Sequence, residues 1–175
     1  AAGDLPVFVN QQAGQFERRP GPARQDAIAL AVADTNADGT LEVLTLDGSG
    51  SLGRAWWLDG TWQVQDFARW DGFPPPAPDG SYRLLTADLD NSGAVDLVAS
   101  GAGDARTWLA DDQYQYQRHR GFDDVDVFGV ADLTGDGLLD LAVGNEGPGQ
   151  ANRVYKNNGD GTLRLPWSAT ETANT

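Results

Sequence analysis

Three stretches of this chain repeat one alternation of oxygen-bearing residues: Asp34-Thr-Asn36-Ala-Asp38-Gly39-Thr40-Leu-Glu42, Asp88-Leu-Asp90-Asn-Ser92-Gly93-Ala94-Val-Asp96 and Asp132-Leu-Thr134-Gly-Asp136-Gly137-Leu138-Leu-Asp140. Oxygens at positions 1, 3 and 5, a glycine at 6 for the sharp turn, a carbonyl at 7 and a carboxylate at 9 can wrap one hard cation. The spacing suits Ca²⁺ better than Mg²⁺, which dehydrates reluctantly and demands near-ideal octahedral geometry. Asp34, Asn36, Asp38 and Glu42 are the expected ligands of one ion, with Thr40 lending its carbonyl. Asp88, Asp90, Ser92 and Asp96, with Ala94, would hold a second ion, and Asp132, Thr134, Asp136 and Asp140, with Leu138, a third. Up to three calcium ions are therefore expected. Each loop crowds three carboxylates into one turn, so without metal the loops should repel and loosen.

An isolated Asp-Gly turn is an ordinary hairpin loop that needs no ion, but three aligned copies favour a shared cation chemistry. An EF-hand wants flanking helices and a bidentate Glu at position 12. Thr45, Ala99 and Val143 stand there instead. Glycine-rich nonapeptide calcium repeats have a far shorter period.

Such loops work only if the chain enters and leaves them in fixed directions. Ahead of each lies a strand-like stretch ending in alanine, at 27–33, 82–87 and 125–131, and behind each a short apolar run, at 41–46, 95–99 and 139–143. These runs are of strand length and read as buried on both faces. Further on, an arginine is followed two positions later by an aromatic, as Arg54/Trp56, Arg106/Trp108 and Arg153/Tyr155, which implies a third strand. Turn chemistry at Asp59-Gly60, Asp111-Asp112 and 157–161 then leads to a fourth, starting at Trp62, Tyr114 and Leu163. The chain thus divides into a hairpin at 5–19, four-stranded units at 26–70, 81–120 and 125–167, and a polar tail at 168–175 expected to fray. The proline-rich stretch 74–78 reads as a loop in the longer connection between the first two units.

Composition agrees with an all-β fold: 22 Gly and 9 Pro punctuate short apolar stretches, with no helical stripe. At 175 residues and 40% hydrophobic content one domain with a sizeable core is expected. A net charge of −14 excludes electrostatic nucleic-acid binding. No apolar run approaches the ~18 residues of a spanning helix, so no membrane embedding is expected. The lack of Cys removes disulfides, thiolate nucleophiles and thiolate zinc sites. The lack of Met suggests that Ala1 is a processed N-terminus or the edge of a longer piece.

Together, the three loops and the closing segment Val154-Tyr-Lys-Asn-Asn-Gly-Asp-Gly-Thr-Leu163 resemble the FG-GAP/VCBS repeat family, the calcium-loop β-propeller blades also found in integrin α-chain heads. The resemblance runs from about Leu5 to about Trp167. It implies that each loop joins the first and second strands of a blade and binds Ca²⁺, and that the chain works outside the cytoplasm in adhesion, ligand binding or a carbohydrate-associated role. Glu42 at the ninth position, Ser92 at the fifth and Thr134 at the third depart from the usual pattern and would weaken individual sites.

Closed propellers usually need 4 to 8 blades, whereas the expected architecture here is three blades and a half-blade hairpin. Apolar blade faces would then lie open at both ends of the arc. A second copy, another subunit or the remainder of a longer chain is expected to cover them. Phe8, Trp56, Trp108 and Tyr155 share one column and Phe16, Trp62 and Tyr114 another, and both are expected to pack between blades. Trp57, Trp70 and Trp167 fall outside those columns and are the candidates for exposed sugar-stacking platforms or partner anchors. His119 is the only imidazole, flanked by Arg118 and Arg120, and reads as a surface residue that cannot head a triad. The expected function is a calcium-binding, non-catalytic module for protein or carbohydrate binding, secreted or periplasmic, because extracellular calcium modules bind at ~10⁻⁴–10⁻³ M. The alternatives are a calcium-dependent carbohydrate-active enzyme resembling a polysaccharide lyase, and a purely structural subunit.

Overall fold

Runs of four to nine residues become strands here because a pleated ladder pairs their backbone groups, and in the blades the apolar ones bury one or both faces. The computed structural model describes residues 5–24, 26–74, 82–123, 125–145 and 150–170. Most of the proline-rich stretch and the end of the tail lie outside the described residues. The regular structure is β throughout: β1 (Val7–Asn10) and β2 (Phe16–Arg19) form a hairpin. The first blade comprises β3 (Ala27–Ala33), β4 (Glu42–Asp47), β5 (Ser51–Leu58) and β6 (Thr61–Arg69). The second comprises β7 (Arg83–Ala87), β8 (Asp96–Gly101), β9 (Asp104–Ala110) and β10 (Tyr116–Asp123). The third comprises β11 (Val127–Ala131), β12 (Asp140–Gly144), β13 (Arg153–Asn157) and β14 (Leu163–Ser168). Within each blade the strands are antiparallel in chain order. The architecture is a β-propeller arc of three blades and a half-blade hairpin.

The blades stack face to face, and the second shows why its strands are apolar on both sides. Alternate residues of a strand point to opposite faces. Leu97 and Ala99 of β8 join Leu44, Leu46, Leu52, Trp70 and Trp108 in the core against the first blade. Val98 between them joins Phe122, Val125, Phe128, Leu141 and Tyr155 in the core against the third. Tight turns close the outer hairpins: Asp59 and Gly60 hold φ of 49° and 82°, as a two-residue hairpin loop demands.

Several aromatics differ from their expected places. Trp70 is 1% exposed, its ring edge-on to Phe73 at 5.2 Å and to Trp108 at 6.3 Å, so it is a core residue and not a surface platform. The reason is the chain's path after β6, which folds the Trp70–Phe73 turn back over the blade through the Phe73 amide bonded to the Trp70 carbonyl at 3.2 Å. Phe8 and Phe16 are exposed, not core, because no inner strands of a half-blade lie against their hairpin. Tyr114 sits in the turn with φ 57°, and the fourth strand starts at Tyr116, whose hydroxyl donates to the Val95 carbonyl at 2.8 Å. Leu30 and Val32, alternating with the buried face of β3, are half-exposed.

Trp70→Ala removes one of the two buried indoles of the first inter-blade core and should cost about 3–5 kcal/mol in urea unfolding. A loss below about 1 kcal/mol would mean the ring is not packed as described.

Candidate cation loops and ligand cleft

All three acidic loops share one backbone, and its cause is local. The fourth and sixth positions take left-handed φ: Ala37 55° and Gly39 85°, Asn91 59° and Gly93 86°, Gly135 75° and Gly137 88°. That conformation turns successive amides inward, onto the first-position carboxylate. Asp34 accepts from Asp38 N at 3.2 Å and Gly39 N at 2.9 Å, Asp88 from Ser92 N at 3.0 Å and Gly93 N at 2.9 Å, and Asp132 from Asp136 N at 3.2 Å and Gly137 N at 3.0 Å. The Thr40 amide, and next the Asn36 side chain, hold the Asp38 carboxyl below its ordinary range.

The ninth position is different in kind. Glu42, Asp96 and Asp140 are buried, and each reaches back to the amide of loop position 2, at Thr35 (2.7 Å), Leu89 (2.7 Å) and Leu133 (3.0 Å). Asp96 and Asp140 also take an amide from the third strand of the blade, Ala110 N at 2.8 Å and Asn157 N at 2.9 Å. These carboxylates therefore tie loop, second strand and third strand together before any ion is considered. Burial pushes Asp96 up to about 6 against the two amide bonds, with the charges of Asp90 and Asp88 adding to the rise.

The loops differ in how well they suit a cation. Carboxylate oxygens of Asp34, Asp38 and Glu42 lie within 4.8 Å of one another, as do those of Asp88, Asp90 and Asp96. That convergence fits one hard ion per loop, with lone pairs to spare after the amide bonds. Asp132, Asp136 and Asp140 form no such group among the described residues. In the third loop Lys156 Nζ lies 2.5 Å from Asp136 Oδ2 and holds that carboxyl low, with the Leu138 amide adding to the effect. Lys156 is the residue sequence reasoning passed over. Its signal was available: it is the sole lysine, in a column where the other two blades carry Trp57 and Leu109.

A second feature lies between the N-terminal hairpin and the first blade. Val7, Val9, Arg19 and Pro20 face Trp57, Gly60, Thr61 and Trp62 across a cavity of 510 Å³. The two indoles meet edge to face at 5.4 Å, and Trp62 Nε1 donates to the Pro20 carbonyl at 3.2 Å, which pins the wall. Trp57 remains 53% exposed and Trp167, on the far blade, 52%. A pinned, half-exposed indole beside one arginine and backbone polar groups offers an apolar face with hydrogen-bonding edges. His119, expected free on the surface, donates Nε2–H to the Gly161 carbonyl at 2.6 Å and so joins the second blade to the third.

Residues 132–175, which open on the third loop and contain the closing hairpin, match the family model described as FG-GAP-like repeat. The resemblance read from the loops is thus borne out on the third blade. Among solved structures the chain is similar to a lectin of Agrocybe aegerita, described by its recognition of non-reducing terminal N-acetylglucosamine, with TM-score 0.60 and 21% identity. The likeness covers 93% of this chain and 46% of the lectin chain, so this chain spans about half the lectin's length and shares its fold. No curated protein matches the sequence.

Ala37 holds a conformation that costs a residue with a Cβ about 1–2 kcal/mol and that glycine adopts freely. Ala37→Gly should therefore raise stability by up to about 1 kcal/mol, once glycine's extra unfolded-state entropy is set against the relief. A drop in melting temperature would contradict the described turn.

Proposed function

We propose that this chain is a non-catalytic β-propeller binding module, with Ca²⁺ stiffening its first two loops and a glycan as its ligand. The observation that carries the reading is the cleft, in which Trp57 stands half-exposed against Trp62. A sugar ring's C–H face stacks on an indole while its hydroxyls take the surrounding polar groups. A terminal N-acetylglucosamine is the first sugar to test, because the structural neighbour is described as recognising it. Trp167 is a second exposed indole of the same kind.

Asp34, Asp38 and Glu42 would hold one ion, with Asn36 and the Thr40 carbonyl beside them, and Asp88, Asp90 and Asp96 another, with Ser92 and the Ala94 carbonyl beside them. Bound calcium supplies positive charge among crowded carboxylates and orders the turns that join the strands. At the affinity of extracellular modules, ~10⁻⁴–10⁻³ M, such loops fill outside the cytoplasm, which favours a secreted or periplasmic setting. The half-exposed Leu30 and Val32 favour a further protein surface, from a second copy or a partner, against the first blade.

Trp57→Ala should weaken binding of an N-acetylglucosamine-terminated oligosaccharide about tenfold by calorimetry, the scale of one aromatic contact. Equal affinity would remove the cleft from the site. Unsaturated product released from an acidic polysaccharide would favour the lyase-like enzyme, and no glycan binding at all would favour the structural subunit.

Calcium should raise the melting temperature, and the rise should depend on pH. With the Asp96 carboxyl at about 6, above its ordinary 3.8, this group adds stability to the metal-free fold at low pH and loses it as pH climbs through 6. The ion needs the carboxylate, so it competes with the proton. The calcium-induced rise should be full near pH 7.5 and shrink as pH falls through about 6. A rise independent of pH would place the ion away from Asp96.

A further inference from the structure

The first two loops and the third have the same backbone and the same number of carboxylates, yet their charges are balanced differently. In the third, the ammonium of Lys156 lies 2.5 Å from Asp136 Oδ2, reaching across from β13 to the fifth position of the loop. Both groups are partly shielded, at 28% and 32% exposure, so this is not a pair dangling in solvent. Both oxygens of the ninth-position carboxylate are also engaged. Asp140 Oδ2 accepts from Leu133 N and from Thr134 N, both at 3.0 Å, while Oδ1 takes Asn157 N at 2.9 Å. In the second loop, by contrast, each oxygen of Asp96 takes a single amide, and among the described residues no ion pair reaches Asp90. Thr134 at the third position replaces the carboxylate or amide of the other loops with a hydroxyl, a weaker ligand for a hard ion.

We infer that Lys156 is the resident cation of the third loop: its ammonium holds the fifth-position carboxylate that a divalent ion would need there, so the chain holds two calcium ions and its third blade is calcium-independent. A tethered ammonium is already in the chain, and an incoming Ca²⁺ would have to displace it from Asp136. The consequence is a built-in asymmetry. Two blades stiffen or loosen with calcium, while the third keeps its loop throughout, held by Lys156 on Asp136 and by the amides on Asp132 and Asp140.

The inference rests on the calcium reading of the first two loops, and the test separates the two. Native mass spectrometry of the full chain titrated with calcium acetate should count two ions on the unaltered protein and three on Lys156→Met. Three ions already on the unaltered protein, or equal non-zero counts on both, would overturn the inference and leave the calcium reading standing. No ion on either protein would overturn both. Hydrogen exchange on the unaltered protein gives a readout that needs no variant. Chelation should speed exchange at the Gly39 and Gly93 amides at least tenfold and leave the Gly137 amide unchanged. Equal acceleration at all three would overturn the inference.

Discussion

A buried negative charge at the base of each loop is the constraint on which this fold depends. Glu42, Asp96 and Asp140 lie where water does not reach, and a carboxylate in that position must be hydrogen-bonded or paired. Each meets that demand by collecting amides that no ladder uses, from the loop and, in the second and third blades, from the third strand. One side chain thereby fixes where the loop starts, where the second strand begins and how the third lies beside it. A cation would add to this arrangement at the outer carboxylates of the loop, and in the third loop the Lys156 ammonium already pairs with one of them, Asp136.

Stacking of blades then follows from strands buried on both faces. The central blade has cores on either side, with Leu97 and Ala99 facing one neighbour and Val98 the other. Ties between blades are polar as well as apolar: Asn157 reaches the Leu89 carbonyl, His119 the Gly161 carbonyl, and Arg120 lies over Phe122 and Tyr155 at 5.0 and 5.8 Å. The half-blade hairpin faces Trp57 of β5 and Thr61 and Trp62 of β6, and Pro20 receives the Trp62 bond. A cleft lies between them.

Much of this was legible in the sequence because the loop motif recurs with strand signals on both sides. Local rules set the four strands of each unit, and Ala27–Ala33 has the bounds its apolar run suggests. What escaped local reading depended on contacts distant in the chain. Trp70 looks like a loop tryptophan until the turn after β6 brings it against Trp108. Tyr114 looks like a strand start until the turn takes a left-handed residue there. Lys156 looks like an ordinary strand cation, and only the pairing of β12 with β13 sets it above Asp136. The oxygen spacing was plain in all three loops, but convergence of the carboxylates was not, since it is a property of side-chain direction.

Diffraction from crystals grown with calcium, with data collected to detect its anomalous signal, tests the charge-centred account most directly. One peak is expected among Asp34, Asp38 and Glu42, one among Asp88, Asp90 and Asp96, and none in the third loop, where Lys156 pairs with Asp136. Clear density for both of the first two loops with no peak in either would contradict it.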